Sequence, residues 1–220
     1  MKNTWLSVGL VVCLMTVGSI GWADETEGGA QKLDDAALIV IDIQAFYFPE
    51  GMVPLKGPEA AAKQAARVIA AFRAAGRPVI HVQHLPKDVD TPDPTGIQEQ
   101  YRIHADVLPA KGEIVVGKHH ANSFRDTELL AILRELGVET LVVTGMQTHM
   151  CVEAAVRAAH DLGFTCMLAS DACATRALQF EEHIIPAASV HYSTLNTLQG
   201  SYAKVATTEA IISMFSESDP

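Results

Sequence analysis

The 220-residue sequence is poor in basic residues and in cysteine. Only 16 Lys and Arg stand against 26 Asp and Glu, a formal charge of -10 at pH 7. A surface with this excess of negative charge does not attract nucleic acid. Four cysteines occur and none stands in a C-x-x-C motif, so a thioredoxin-type redox centre has no support. No internal repeat or low-complexity segment stands out, and the composition indicates an ordinary globular protein.

Long apolar runs are missing except near the start of the chain. There, the charged start MKNTW is followed by LSVGLVVCLMTVGSIGWA, an apolar stretch that ends on small residues. This is the pattern of a secretory signal peptide, and Gly21 and Ala23 fit its small-x-small cleavage site. We predict cleavage after Ala23 and a secreted or periplasmic protein. The apolar run is short and broken by Ser and Gly, so we expect no stable membrane insertion after processing.

The predicted signal peptide, residues 1–23, carries a single charged residue, Lys2. Its removal lowers the basic count from 16 to 15 against 26 acidic residues, a formal charge of -11. The remaining chain is long enough to bury a sizeable core. We expect a short tail at residues 24–35 and one domain over residues 36–215.

The rest of the chain alternates short runs rich in Val and Ile with longer segments of helical period, which is typical of βα units and a parallel sheet. Residues 85–111 carry several prolines and glycines and predict a long surface loop. Residues 178–198 are predicted to be mostly helical. The predicted strands are AALIVIDI, PVIHVQ, EIVVGK, ETLVVTG, FTCMLAS and AKVATT.

Polar residues follow four of these strands. Asp42 closes the first, His84 the second and Lys118 the third, and a turn from Gln147 to Cys151 follows the fourth. Alone, Asp42 could cap a turn and Lys118 could be a solvated strand end. In open α/β sheets, however, ligands bind outside the carboxyl ends of the strands. Opposite charges that meet there can compensate each other and act on a thiol.

Cys151 stands where TGMQTHMCVEAAVRAAHDLG changes from a predicted loop to a predicted helix. A free cysteine is most often a small buried apolar residue. At a helix N-terminus, free N–H groups and a partial positive charge would instead favour the reactive thiolate. The odd count of Cys151, Cys166 and Cys173 leaves at least one unpaired. We expect Cys151 to be the most reactive of these cysteines.

Segments of the chain resemble the isochorismatase-like cysteine hydrolases, which include nicotinamidases and N-carbamoylsarcosine amidohydrolases. The resemblance implies a single-domain, Rossmann-like three-layer α/β sandwich with a six-stranded parallel sheet flanked by helices. It also implies a catalytic triad of Asp42, Lys118 and Cys151. In addition, it implies a cis peptide bond between Met146 and Gln147 and an oxyanion hole from the backbone N–H groups of Gln147 and Cys151. The segments are LIVIDIQAFYF, IHADVLPAKGEIVVGKHHANSF, LVVTGMQTHMCVEAAVRAAHDLGF and SDACAT.

The resemblance further implies hydrolysis of a C–N bond of amide or carbamoyl type. Asp42 would take the thiol proton, Cys151 would attack the carbonyl, and water would hydrolyse the thioester. Members that cleave the vinyl ether of isochorismate can work without a cysteine, so the retained Cys151 favours C–N hydrolysis. Vinyl ether hydrolysis and a non-catalytic secreted binding protein of the same fold remain alternatives.

Nicotinamidases hold a metal ion with an Asp-x-His set and a further His after the second strand. The corresponding segment here, HVQHLPKDVD, lacks that set, and its two histidines should point to opposite faces of a strand. We therefore expect no metal and no cofactor. The expected partner is a small-molecule amide, and self-association into a homo-oligomer is left open. Candidate pocket residues near the predicted rim are Phe46, Phe48, His84, His120 and Phe124.

Overall fold

A parallel sheet lies at the centre of the computed structural model, which describes residues 33–96 and 98–216. The strands of the described chain are β1 (Ala36–Ile41), β2 (Val79–His84), β3 (Ile114–Lys118), β4 (Thr140–Met146), β5 (Thr165–Ala174), β6 (Leu178–Phe180), β7 (His183–Ile185) and β8 (Lys204–Ala206). Six of them form the central sheet in the order β3-β2-β1-β4-β5-β8. Every neighbouring pair in it runs parallel.

Helices cover both faces of this sheet. Their bounds are α1 (Pro58–Ala74), α2 (Leu129–Glu135), α3 (Glu153–Asp161), α4 (Ala187–Leu198) and α5 (Thr208–Ser216). Buried side chains of α1 and α5 pack on one face, and those of α2, α3 and α4 pack on the other. The predicted single-domain, three-layer α/β fold with a six-stranded parallel sheet is confirmed.

The nearly continuous apolar run of β1 reflects burial on both faces, because all six of its residues are buried. Successive side chains of a strand point to opposite faces. Leu38 and Val40 therefore join the core under α1 and α5, whereas Ile39 and Ile41 join the core under α2 and α3. A strand buried in this way has no polar face, which explains why its sequence does not alternate.

Gly145 allows β1 and β4 to approach each other closely. Its φ is +138°, and a Cβ added there would lie 2.1 Å from the carbonyl oxygen of Ile41. Only glycine tolerates both this backbone conformation and this contact. The close approach brings the two segments that follow these strands, at Asp42 and Gln147, side by side at the carboxyl edge of the sheet.

The prediction of a mostly helical segment over residues 178–198 is wrong in its first half. Residues 178–185 contain β6 and β7, which pair antiparallel in a separate two-stranded sheet. Glu181 in the turn between them has a φ of +53°, a conformation that a right-handed helix excludes. Pro186 then caps α4. Because a residue before proline avoids helical geometry, Pro186 was the signal for the boundary.

The predicted signal peptide, residues 1–23, and most of the predicted tail lie outside the described residues. Among the described residues, the first strand begins at Ala36. Within residues 33–96 and 98–216, no helix is both long enough and apolar enough to cross a membrane.

Candidate active site

Asp42 and Lys118 form a buried ion pair at the carboxyl edge of the sheet. Asp42 directly follows β1, and Lys118 is the last residue of β3, on the far side of β2. The Lys118 Nζ lies 2.6 Å from the Asp42 Oδ2, and both side chains are 0% exposed. Burying two charges carries a desolvation cost that an apolar pair would avoid. The pair is therefore better explained by its electrostatic effect on neighbouring side chains than by a contribution to the stability of the fold.

The Asp42 carboxylate is held in place by its backbone. Its N–H donates to the Val82 carbonyl at 3.0 Å, and its φ of +50° is unusual for a residue other than glycine. Besides the Lys118 ammonium, the carboxylate has a side-chain hydrogen bond with the Cys151 thiol. Asp42 is thus a fixed carboxylate in contact with both Lys118 and Cys151.

The Lys118 ammonium stays charged in this buried position. Its Nζ donates a hydrogen bond to the His120 carbonyl at 3.1 Å. Burial works against the charge, but the Asp42 carboxylate and the nearby Cys151 outweigh it and raise the pKa of Lys118 above its ordinary value. The ammonium is therefore a permanent positive charge beside Asp42 and Cys151.

Cys151 lies in a π-helical turn, Thr148–Val152, that joins β4 to α3. The helical segment thus begins before Cys151, not at it as predicted. Burial, and after it the Asp42 carboxylate, raise the pKa of the Cys151 thiol to about 12, and Lys118 only partly opposes them. This direction is opposite to the expectation that its position favours the thiolate, because desolvation and the Asp42 carboxylate outweigh Lys118. At neutral pH the sulfur carries its proton.

The turn that carries Cys151 is anchored on both sides. The peptide bond between Met146 and Gln147, where the turn leaves β4, is cis. The Thr148 Oγ1 lies 2.9 Å from the Nδ1 of His191 in α4, and the His149 Nδ1 lies 2.6 Å from the Oγ1 of Thr175, just after β5. Contacts to two other elements therefore fix the position of the nucleophile candidate.

A cavity of about 280 Å³ opens above Cys151. Aromatic rings form much of its wall: the ring of Phe46 meets the ring of Tyr47 edge-on at 4.2 Å and that of Tyr101 at 5.5 Å. Met52 and Met150 lie on its rim, 59% and 46% exposed. The volume is just below the roughly 300–1,000 Å³ typical of ligand cavities. The lining residues are Phe46, Tyr47, Met52, Val53, His84, Tyr101, Ala121, Gln147, Met150 and Cys151.

Of the predicted pocket residues, Phe46 and His84 line this cavity. Phe48 does not, because its ring stacks on His104 with centroids 3.8 Å apart. Phe124 packs against the ring of Phe164 instead. His120 is not a lining residue either: its carbonyl holds Lys118, and its Nε2 lies 3.3 Å from the Asp126 carboxylate. Phe48 and Phe124 thus pack against other rings, and the His120 side chain lies beside a carboxylate, instead of lining the cavity.

Gln44 is a positioning residue that the sequence did not reveal. Its side-chain Nε2 donates to the carbonyls of His84 at 2.9 Å and Tyr101 at 2.6 Å, and its Oε1 accepts from the His84 N–H at 2.8 Å. It thereby holds two cavity residues from separate segments. A buried glutamine directly after an apolar strand was the available signal, because a buried amide needs partners.

Two cavity residues have pKa values that keep them neutral. Burial raises the pKa of Tyr47 above its ordinary value, and the negative charge of Asp42 adds to this effect. Burial lowers the pKa of His84, with Asp42 opposing and Lys118 reinforcing the change. At neutral pH the cavity therefore presents an uncharged phenol and an uncharged imidazole.

The described residues contain no group of three or more His, Cys, Asp or Glu side chains placed to hold a metal ion. His81 turns away from His84 and pairs with Glu113, its Nε2 lying 3.0 Å from the Glu113 Oε2. His84 faces the cavity. The two histidines of the second strand thus lie in different surroundings.

Known proteins resemble this chain along most of its length. The model of the isochorismatase domain matches residues 36–210. The uncharacterized isochorismatase family protein YddQ of Bacillus subtilis is 46% identical over 180 residues, 80% of this chain and 98% of its own. A ureidoacrylate amidohydrolase of Variovorax paradoxus is 26% identical, over 84% of this chain and 83% of its own. The crystal structure of an isochorismatase from Pseudomonas putida superposes with a TM-score of 0.75 at 39% identity, covering 81% of this chain and 91% of that one.

Proposed function

The chain belongs to the isochorismatase family of hydrolases, and we propose that it cleaves a C–N bond of amide or carbamoyl type in a small molecule through a cysteine thioester. One observation carries the proposal. Cys151 lines a small cavity and interacts electrostatically with the buried Asp42–Lys118 pair. A thiol beside a carboxylate that can take its proton is the arrangement nucleophilic catalysis needs.

The first step of the proposed reaction moves a proton without changing the net charge of the site. Asp42 takes the thiol proton as the Cys151 sulfur attacks the substrate carbonyl carbon. The negative charge then passes from the carboxylate through the sulfur to the carbonyl oxygen, while Lys118 remains positive. Because burial makes any change of net charge costly, this transfer is favoured over prior ionisation of a thiol whose pKa is about 12.

The oxyanion needs donors, and we propose the backbone N–H groups of Gln147 and Cys151 for this role. Protonated Asp42 then gives its proton to the departing nitrogen, the C–N bond breaks, and a thioester on Cys151 remains. A water molecule, losing its proton to Asp42, attacks the thioester; the C–S bond breaks, the acid is released, and Asp42 returns the proton to the Cys151 sulfur. The cycle returns the thiol, the carboxylate and the ammonium to their starting states.

A relative that is named an amidohydrolase supports C–N hydrolysis over the ether-cleaving alternative. Cleavage of a vinyl ether needs an acid but no sulfur nucleophile, so Cys151 would have no role in that reaction. A fungal relative that is 33% identical over 64% of this chain is named a secreted isochorismatase effector. The ether-cleaving alternative therefore has to be tested by experiment.

Ammonia release from small primary amides and carbamoyl compounds tests the proposal directly. We expect turnover by the parent, none above background by Cys151→Ala, and near-parent rates for Cys173→Ala, a buried cysteine that does not line the cavity over Cys151. Mass spectrometry of acid-quenched enzyme should show an acyl adduct on Cys151. Hydrolysis by Cys151→Ala at a rate comparable to the parent would exclude the thioester route and favour ether hydrolysis.

We also propose export, with residues 1–23 removed as a signal peptide. Both tryptophans of the sequence, Trp5 and Trp22, lie within that segment. The processed protein should therefore contain no tryptophan. Intact mass and fluorescence of protein from the native compartment measure this, and tryptophan emission there would show that the segment is retained.

A further inference from the structure

His84 lies between the two charged residues of the candidate active site. It is the last residue of β2, and β2 lies between β1 and β3 in the sheet. Its Cα is the register partner of Lys118, the last residue of β3. Asp42, on the other side, donates its N–H to the carbonyl of Val82, on the same strand as His84. The imidazole therefore belongs to the same edge of the sheet as the buried ion pair.

Gln44 fixes the backbone that carries this imidazole. The His84 N–H donates to the Gln44 Oε1 at 2.8 Å, and its carbonyl accepts from the Gln44 Nε2 at 2.9 Å. The ring itself lies edge-on to the ring of Phe46, with centroids 6.5 Å apart. A side chain on a backbone that is bonded in both directions has a well-defined position, which the orientation of a small reactant requires.

Both ring nitrogens of His84 are open to a ligand. Within residues 33–96 and 98–216, the Gln44 side chain bonds only to the backbone of His84, and no bond to the ring nitrogens is present. These nitrogens are not among the polar atoms that are enclosed without a partner, whereas the Nδ1 of His81 on the same strand is. His84 is partly exposed and lines the cavity that also contains Cys151. Its free polar atoms therefore adjoin a space that a substrate or a water molecule can enter.

The imidazole is neutral, so it offers one donor and one acceptor. Burial lowers the pKa of His84, and the Asp42 carboxylate only partly opposes this. The positive charge of Lys118 lowers it further, and so do His119 and His120. A neutral imidazole has one N–H group and one nitrogen lone pair, and it is a stronger base than the phenols of the wall. The wall thus contains a good acceptor for a hydrogen bond from water.

The second half of the proposed reaction brings a water molecule into a cavity whose wall is mostly apolar. A water molecule is held in a protein interior by about two to four polar partners. Asp42, which takes one of its protons, supplies the first. The side chains of Phe46, Val53 and Ala121 in the wall have no acceptor for the other hydrogen, whereas His84 has one. The water therefore has a second partner at His84.

We propose that His84 holds the water that hydrolyses the thioester, accepting a hydrogen bond from the hydrogen atom that Asp42 does not take. This role rests on the proposed function. As the water oxygen bonds to the acyl carbon, one O–H bond breaks, and its proton passes to Asp42. The C–S bond to Cys151 breaks next, the second hydrogen stays with the released acid, and Asp42 returns its proton to the sulfur. His84 is thus needed for hydrolysis of the thioester and not for its formation.

Single-turnover kinetics with p-nitrophenyl acetate separates the two steps. With the enzyme in excess, release of p-nitrophenolate measures acetylation of Cys151, and mass spectrometry of quenched samples measures decay of the acetyl group. In His84→Leu, we expect the acetylation rate to change less than about threefold and the decay rate to fall about tenfold or more. The matched control, His160→Leu at an exposed position of α3, should leave both rates unchanged. Equal losses in both steps, or an unchanged decay rate, would overturn the proposal.

Two further measurements exclude a purely structural effect. Hydroxylamine attacks a thioester without a bound water, so it should remove the acetyl group from His84→Leu and from the parent at rates that agree within about threefold. His84→Asn and His84→Gln each keep an amide oxygen that accepts a hydrogen bond, and at least one of them should hydrolyse the thioester about threefold or more faster than His84→Leu. If His84→Leu resists hydroxylamine as strongly as water, or if neither amide exceeds leucine, the ring only packs the wall and the proposal is overturned.

Failure of this role can be told apart from failure of the proposed reaction. If Cys151 of the parent is never acetylated, the thioester route fails, and the role of His84 fails with it. If the parent is acetylated on Cys151 and His84→Leu releases the acetyl group at the parent rate, the thioester route stands, and only the role of His84 is wrong.

Discussion

Two carboxylates in this molecule, the fully buried Asp42 and the partly buried Glu113, have different surroundings. Glu113, just before β3, receives two hydrogen bonds from Arg73 at 2.7 and 2.8 Å, one from the Ala110 N–H at 2.8 Å, and a contact from His81 at 3.0 Å. Asp42 has the Lys118 ammonium and the Cys151 thiol as its side-chain partners. Glu113 thus holds separate elements together, whereas Asp42 lies beside the candidate nucleophile.

The pKa of Glu113 agrees with this contrast. Burial would raise it, but the bonds from Arg73, Ala110 and His81 together lower it to about 2. Such a group is a poor base, because the surrounding donors favour its charged form. A carboxylate can therefore be structural or reactive according to the donors that surround it.

Replacing Asp42 should have the largest effect on activity. Asp42→Asn keeps the shape of the side chain but cannot take the thiol proton, so we expect kcat to fall by roughly 10²–10⁴. Steady-state ammonia release measures this. Glu113→Gln, the matched change at the satisfied carboxylate, should alter kcat by less than about threefold. A comparable loss in both variants would remove the distinction between the two sites.

Alkylation of Cys151 by iodoacetamide tests the protonated resting state. With a thiol pKa near 12, the rate should be low at pH 7 and rise about tenfold per pH unit up to pH 9. Peptide mapping should find Cys151 modified before Cys166 and Cys173, because it alone of the three lines the cavity beside the ion pair. A rate that is already pH-independent near neutrality would mean that a thiolate pre-exists.

Replacing Glu113 should change the stability of the protein more than its activity. We expect Glu113→Gln to lower the free energy of unfolding by about 1–3 kcal/mol, since Arg73 and His81 lose a shared acceptor. Urea denaturation followed by circular dichroism measures it at pH 7. An unchanged midpoint would show that solvent replaces those bonds at no cost.

The pH dependence of stability should show a smaller effect of the same carboxylate. The pKa of Glu113 is about 2 in the folded protein and 4.5 for the unperturbed group, so its contribution is fully present above pH 4.5. That contribution should be lost progressively as the pH falls from 4.5 towards 2. The difference in unfolding free energy between the parent and Glu113→Gln should shrink over this range, and a constant difference would contradict the assignment.

The sequence was sufficient for the sheet and for the residues at its carboxyl edge. Buried strands are nearly all apolar, so a polar residue such as Asp42 or Lys118 at the end of one is conspicuous, and parallel strands end at one edge. Cys151 could be placed there for the same reason. The roles of these residues as a triad stay a prediction.

The sequence was insufficient where a property depends on distant partners. Tyr101 reaches the cavity from a loop that Gln44 holds, and no local pattern announces that contact. Phe48 and Phe124 were predicted to line the cavity but pack against other rings. The raised pKa of Cys151 comes mainly from desolvation, which a one-dimensional pattern does not contain.

The rim of the cavity has a consequence for divergence of this protein. Met52 and Met150 are more than 40% exposed, at 59% and 46%, and belong to neither buried core cluster. Methionine is flexible and adapts to differently shaped partners. Replacing Met52 or Met150 can therefore change which substrate shapes the cavity admits, without changing Asp42, Lys118 or Cys151. New substrate ranges are within reach of single substitutions at the rim, without a redesign of the chemistry.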